Sequence, residues 1–260
     1  LTHDNYIESV GGVQLTATEE QTRFLEAGIG YVNIFPTTAK PTLVNVEQFY
    51  TSINCNGEFV EACKGETLLE ALRVLVEDQP HPKQAVNIII HHLMGYQMEW
   101  VYKLLEGVGN QSALFWLHDF FSLCPSPHLL RNGATYCHAP DIDSNACSIC
   151  IYGEARRTHL QAFQKLFEQN KLRVISPSEF AINLWTKNMD VPKVEDIVFP
   201  HCYISPDAPS DIIAHEAKAL SEPLRIGYLG HPNYHKGWDT WKKLVHQFSD
   251  DPRYEFYHLG

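Results

Sequence analysis

Short runs of consecutive apolar residues alternate along this sequence with stretches whose apolar positions recur every three or four residues. Runs of the first kind fill buried parallel strands, and the second kind form amphipathic helices. The alternation therefore predicts an α/β fold, mainly a parallel sheet with helices on both faces. The chain opens on what reads as the tail of a strand, so native residues are expected before Leu1. Gly11-Gly12 introduces a helix over about 13–27, which Gly28 and Gly30 stop. Residues 31–35 read as a strand, and 46–63 as a hairpin turning at Asn56-Gly57. Leu68, Leu69, Leu72 and Leu75 give a helix over 66–77, with Pro80 and Pro82 beyond its end. Buried strands are expected at 86–91 and 113–118, separated by a helix over about 97–105. An irregular stretch, 119–153, is rich in Pro, Gly, Cys and His. After it come a helix (154–169), a strand (173–176), a helix capped by Ser178 (178–188) and a strand (195–199).

The texture then changes. Pro206, Pro209 and Pro223 mark a linker over 205–223. Beyond it a strand (224–230), a helix (238–248) and a strand (254–259) make one βαβ unit. The domains so predicted are 1–204, carrying the Cys-rich loop 119–153, and 224–260, the start of a second domain. A doubly wound domain is not built from so short a segment alone.

Composition narrows the classes. Among 260 residues, 44% are hydrophobic and 20% charged, which is ordinary for a folded domain. A net charge of −11 repels phosphate backbones and makes nucleic acid a poor partner. The same sign disfavours a broad polybasic membrane face, leaving local patches for peripheral contact. No apolar run reaches bilayer length, and the polar start Thr2-His3-Asp4 does not read as a signal peptide. Seven cysteines are an odd count at low density, the pattern of a reducing compartment. The expected location is the cytoplasm, at most peripheral at the inner membrane.

Histidines recur where strands end: His3, His91, His118 and His231 each stand at or just past a predicted strand. That edge is where open α/β sheets bind ligands, and imidazoles there suit sugar hydroxyls or phosphates. His118 stands out because Asp119 follows it, and His91-His92 comes next; loop placement by chance is the plainer reading for any single one. Gly11 and Gly12, before a helix, let backbone N–H groups face a ligand, although a simple turn explains two glycines equally well. They do not form a G-x-G-x-x-G fingerprint, so a dinucleotide oxidoreductase is not supported. Cys124, Cys137, Cys147 and Cys150 form a C-x12-C-x9-C-x2-C cluster whose last pair has metal-ligand spacing. A structural zinc is the first expectation for it. Incidental thiols, a disulfide pair and an iron–sulfur cluster are open alternatives. Asp141 and Asp143 form a D-x-D in the same loop, without a buried strand before it, and read as solvated acids. Lys236-Gly237, between a strand and a helix, suits a diphosphate: the lysine supplies charge and the helix start supplies N–H donors.

Four segments in this order resemble glycosyltransferase family 4, especially bacterial enzymes of surface-polysaccharide synthesis: residues 3–14 (HDNYIESVGGVQ), 115–125 (FWLHDFFSLCP), 174–180 (VISPSEF) and 225–238 (RIGYLGHPNYHKGW). The resemblance implies a GT-B fold, with a Rossmann-like acceptor-side domain and the first βαβ unit of a second Rossmann-like domain facing it across a cleft. It implies a retaining hexosyl-type transferase using a nucleoside-diphosphate sugar, a glycan or lipid-linked acceptor and no catalytic metal. By position, His118 falls near the transferred sugar with Asp119 beside it. Gly12 falls at the donor phosphate or acceptor edge, and Lys236 on the diphosphate. Two departures stand out. His231 occupies a region where the family often has arginine, and the family's paired glutamates would fall beyond Gly260, so these residues alone are expected to be inactive. A catalytically inactive GT-B-like scaffold with a metal-stapled loop, or a sugar-nucleotide epimerase, are the rival readings.

Overall fold

The computed structural model describes residues 1–77, 86–108, 113–202 and 222–260. Pro80, Pro82 and the expected linker from 205 to 221 lie outside the described residues. The chain forms two compact units, Leu1–His201 and Cys202–Gly260.

The first unit begins with helix α1 (Gly12–Glu26), after which β1 (Val32–Pro36), β2 (Tyr50–Cys55) and β3 (Glu58–Lys64) form an antiparallel sheet in that order. Asn56 and Gly57 turn the hairpin with φ of 51° and 89°, the two positive values a tight primed turn requires. The expectation of a mainly parallel sheet is thus corrected for this part: β1 pairs antiparallel with β2. Helix α2 (Gly65–Glu77) leads to β4 (Ile89–Ile90), α3 (Met98–Gly107) and β5 (Ala113–Trp116). Within the irregular stretch lie a minimal pair, β6 (Leu130–Arg131) and β7 (Thr135–Tyr136), and the one-turn α4 (Asn145–Ser148). Helix α5 (Gly153–Gln169), β8 (Leu172–Ser176), α6 (Glu179–Asn188) and β9 (Glu195–Val198) complete the unit. Ser178 caps α6 by accepting from the Ala181 N–H, as the sequence predicts.

The parallel sheet runs β4-β5-β8-β9, and its strands end together at one edge. Side-chain alternation along β5 sends neighbours to opposite faces. Phe115 packs edge-on against Phe163 and Phe167 of α5, whereas the Trp116 indole N–H donates to Glu20 of α1 (2.9 Å). Helices therefore cover both faces. Burying rings such as Phe163, Phe167 and Trp185 contributes roughly 1.5–3 kcal/mol each. Leu1 and Thr2 tie the two sheets together, since the Leu1 carbonyl accepts from the His91 N–H (2.9 Å) and the Thr2 N–H donates to Ile34 (3.1 Å).

The second unit is a single βαβ: β10 (Leu224–Leu229) and β11 (Tyr254–Leu259) pair in parallel, with α7 (Trp238–Phe248) between them. Tyr228 is its one buried large apolar residue among the described residues, in contact with Trp238, Trp241 and His258. No helix among the described residues is long and apolar enough to cross a membrane.

Candidate functional site

Two histidine–carboxylate constellations occupy the C-terminal edge of the parallel sheet. In the first, His91 Nε2 meets Glu20 Oε2 at 2.9 Å, His91 Nδ1 meets His118 Nε2 at 3.1 Å, and His118 Nδ1 meets His201 Nε2 at 3.1 Å. The three rings also stack face to face, His91 on His118 and His118 on His201. A carboxylate only accepts, which fixes the direction of the whole column. His91 donates to Glu20 and so must accept at Nδ1 from His118, which in turn accepts from His201. Burial lowers all three basicities; His118, flanked by His91 and His201, falls to about 2. The column is neutral at ordinary pH, with His201 as its exposed end.

In the second, His92 accepts at Nδ1 from the Met94 N–H (3.1 Å) and therefore donates from Nε2 to Asp119 Oδ2 (3.1 Å). Asp119 Oδ1 takes the Phe121 N–H at 2.8 Å. Burial alone would raise Asp119, but the polar His92 ring with its hydrogen bond, together with the Phe121 N–H, outweighs it, leaving the carboxylate below its ordinary value. Its side chain is 24% exposed, so an ionised oxygen reaches the surface. His3 leans on His92 with ring centroids 4.7 Å apart, its Nδ1 buried and unpartnered among the described residues. Gln14 of α1 bridges from Asp4 (2.7 and 2.8 Å) toward His3.

Helix α1 starts at this edge. Gly11 is its N-cap with no side-chain cap, and its first turn holds no acidic residue, so its leading N–H groups stay open to an anion. A Cβ on Gly11 would come 2.4 Å from Gln14 Oε1, while one on Gly12 would meet nothing within 4 Å. The structure thus brings His3, Gly11, Gly12, His91, His118 and Asp119 into one region. A void of about 10 Å³ lies beneath, lined by His91, His92 and Asp119, with room for at most a water.

Neither a family model, nor a curated protein, nor a solved structure matches this chain. Its chemistry must be read from its own groups. In the second unit, His231 and Lys236 are exposed in the loop after β10, and the Lys236 ammonium forms no ion pair among the described residues. Gly237 takes a left-handed φ of 84° as N-cap of α7. The expectation of a bare helix start is corrected there: the Gly237 N–H donates to Tyr234 and that of Trp238 to Asn233.

The four cysteines line one cavity of about 20 Å³, joined by Leu129, Ala139 and Arg156. All seven cysteines are free thiols, which removes the disulfide alternative in this structure. Burial pushes Cys124 up to about 11. Among the described residues, no three thiol, imidazole or carboxylate groups stand as a preformed metal-ligand set. Asp143 pairs with Arg157 at the surface and Asp141 accepts from the Asp143 N–H, as solvated loop acids do.

Sequence reasoning missed Glu20, Gln14 and His201, and it left His92 behind His91. A signal existed for each. Gln14 and Glu20 each lie three residues from the buried Ala17, on the inward stripe of α1, where polar residues need a reason. His201 follows the last strand of its sheet, the same placement that singled out His91 and His118.

Proposed function

We propose that this protein is a retaining glycosyltransferase of GT-B type, moving a sugar from a nucleoside-diphosphate donor to a glycan or lipid-linked acceptor. One observation carries the reading: an ionised, doubly anchored Asp119 beside a neutral histidine column, at the strand-end edge where α1 opens its uncapped N-terminus. Each part suits the reaction. Asp119 accepts a hydrogen bond from an incoming hydroxyl, and His92 holds it in place. His118 binds a hydroxyl of the transferring sugar by exchanging His201 for it, since both its ring nitrogens are engaged. His3 Nδ1 offers one more partner. Loss of the nucleoside diphosphate builds negative charge on its bridging oxygen, a charge of the kind that an exposed ammonium such as Lys236 would stabilise. The void beneath is far smaller than a hexose, so the sugar would lie on the open edge above it.

The test is a thermal-shift screen of the intact protein against nucleotide sugars, followed by assay of nucleoside-diphosphate release with acceptor. Asp119→Asn is expected to lower transfer by ~10²–10⁴ while leaving nucleotide affinity near wild type. Lys236→Ala is expected to weaken nucleotide binding by about 10- to 100-fold, the worth of one charge-assisted contact. No nucleotide sugar raising the melting temperature would favour the scaffold reading, and an epimerised donor without transfer would favour the epimerase.

A further inference from the structure

The cysteine cavity is separate from the transfer chemistry and stands or falls independently. We propose that Cys124, Cys137, Cys147 and Cys150 hold one structural zinc ion, with Arg156 as its buried counter-cation. The thiols come from three separate turns of chain, after Phe121, after β7 and around α4, and meet at one cavity sized for a single small occupant.

Arg156 supplies the independent observation. Its side chain lies in the interior, 4% exposed, yet no carboxylate of the described residues pairs with it. Nε donates to the Leu123 carbonyl (3.0 Å), and Nη1 to the Pro140 carbonyl (2.7 Å) and Cys147 Sγ (2.8 Å). A buried cation without a counter-charge is strongly unfavourable. Zinc bound by four thiols releases four protons and leaves a site of charge −2, which gives the guanidinium its partner. The backbone points the same way. Leu129, Asn132, His138 and Ala139 all hold φ between 50° and 58°, and Leu129 and Ala139 line the cavity. Side chains at such φ persist only where the surroundings over-determine them. The loop has only β6–β7 and the one-turn α4 to hold it, and a metal clip would fix it.

Thiols without a cation gain nothing by facing a common point, so the ligand set closes as the ion enters. Four sulfur ligands leave no open position, which makes the role structural. The ion would also steady the site region, because the Cys124 N–H donates to Phe120 and Phe121, and the Phe121 N–H holds Asp119.

Elemental analysis of the purified intact protein is expected to find about one zinc per chain. Replacing zinc with cobalt should give the charge-transfer absorption of a tetrahedral thiolate site. Cys147→Ser and Cys150→Ser should lose the metal, whereas Cys55→Ser and Cys202→Ser should keep it. Arg156→Gln should weaken zinc, in competition with a chromophoric chelator, by about 10- to 100-fold. Wild-type protein that is isolated without zinc and takes none up on addition overturns the proposal, as does inorganic sulfide found with iron. Zinc retained in Cys147→Ser, or unchanged affinity in Arg156→Gln, overturns the ligand set or the counter-cation respectively. The wild-type measurements decide even where a cysteine variant fails to fold.

Discussion

At the scale of single residues, the direction of the histidine column is set by one carboxylate. Glu20 accepts from Trp116 at Oε1 and from His91 at Oε2. Glu20→Gln keeps an acceptor for Trp116 but presents an amide N–H₂ to His91. His91 must then accept at Nε2 and donate from Nδ1, and His118 must follow by donating to His201. Imidazole ¹⁵N spectra are therefore expected to show both His91 and His118 exchanging tautomers in Glu20→Gln. Unchanged nitrogen shifts would mean that the column is not wired through Glu20. His92 differs, because the Met94 N–H fixes its tautomer locally and the same substitution should leave it alone. Strand-end position made His91 and His118 legible in the sequence. Their partner was not legible, because Glu20 lies 71 residues from His91 along the chain.

At the scale of elements, the joint between α4 and α5 shows how little room the Cys-rich loop leaves. The Cys150 N–H donates to Cys147 (3.0 Å) and the Gly153 N–H to Cys150 (2.9 Å), a tight double turn that delivers the chain into α5. A Cβ on Gly153 would lie 1.9 Å from the Cys147 carbonyl oxygen, which is backbone and cannot swing aside. Gly153→Ala is therefore expected to destabilise the protein by roughly 1–3 kcal/mol, read as a lower denaturation midpoint with little change in slope. Wild-type stability in that variant would show the turn to be looser than described. The periodic helices and the Asn56-Gly57 hairpin were readable from sequence, since their signals are local. By contrast, only two residues of the apolar run at 86–91 form β4, because pairing depends on where β5 runs alongside.

At the scale of the whole molecule, buried neutral histidines make stability fall with acid. His118 and His159 are held at about 2 and about 4, against an ordinary 6.5. Burial is the main cause for both; at His159 the bond to the Phe121 carbonyl opposes it and Arg156 adds to it. Below pH 6.5 the unfolded chain takes up protons that the folded chain refuses. Their contribution is complete above that pH and is lost progressively on acidification, down to about 4 for His159 and about 2 for His118, at up to about 1.4 kcal/mol per pH unit for each histidine. Asp119, held below its ordinary value, acts in the same direction, but its contribution is lost only below about 4 and so adds to the trend at more acid pH. The pI of about 5.6 falls inside this window, so charge repulsion is weakest where stability is declining. Urea midpoints should drop steadily from pH 7 to pH 5, with light scattering on heating greatest near the pI. A flat midpoint over that range would mean that these histidines are accessible to protons in the folded state. Local periodicity determined the helices, the buried strands, the βαβ unit and the acidic surface, because each depends on residues near one another in sequence or on simple sums. Only the tertiary structure decided that β1 runs antiparallel, that Glu20 and His201 close the histidine column, and that the Arg156 guanidinium, with no carboxylate partner among the described residues, lines one cavity with four thiols. Those outcomes are set by which distant segments meet, and burial then fixes the protonation and charge of the groups they bring together.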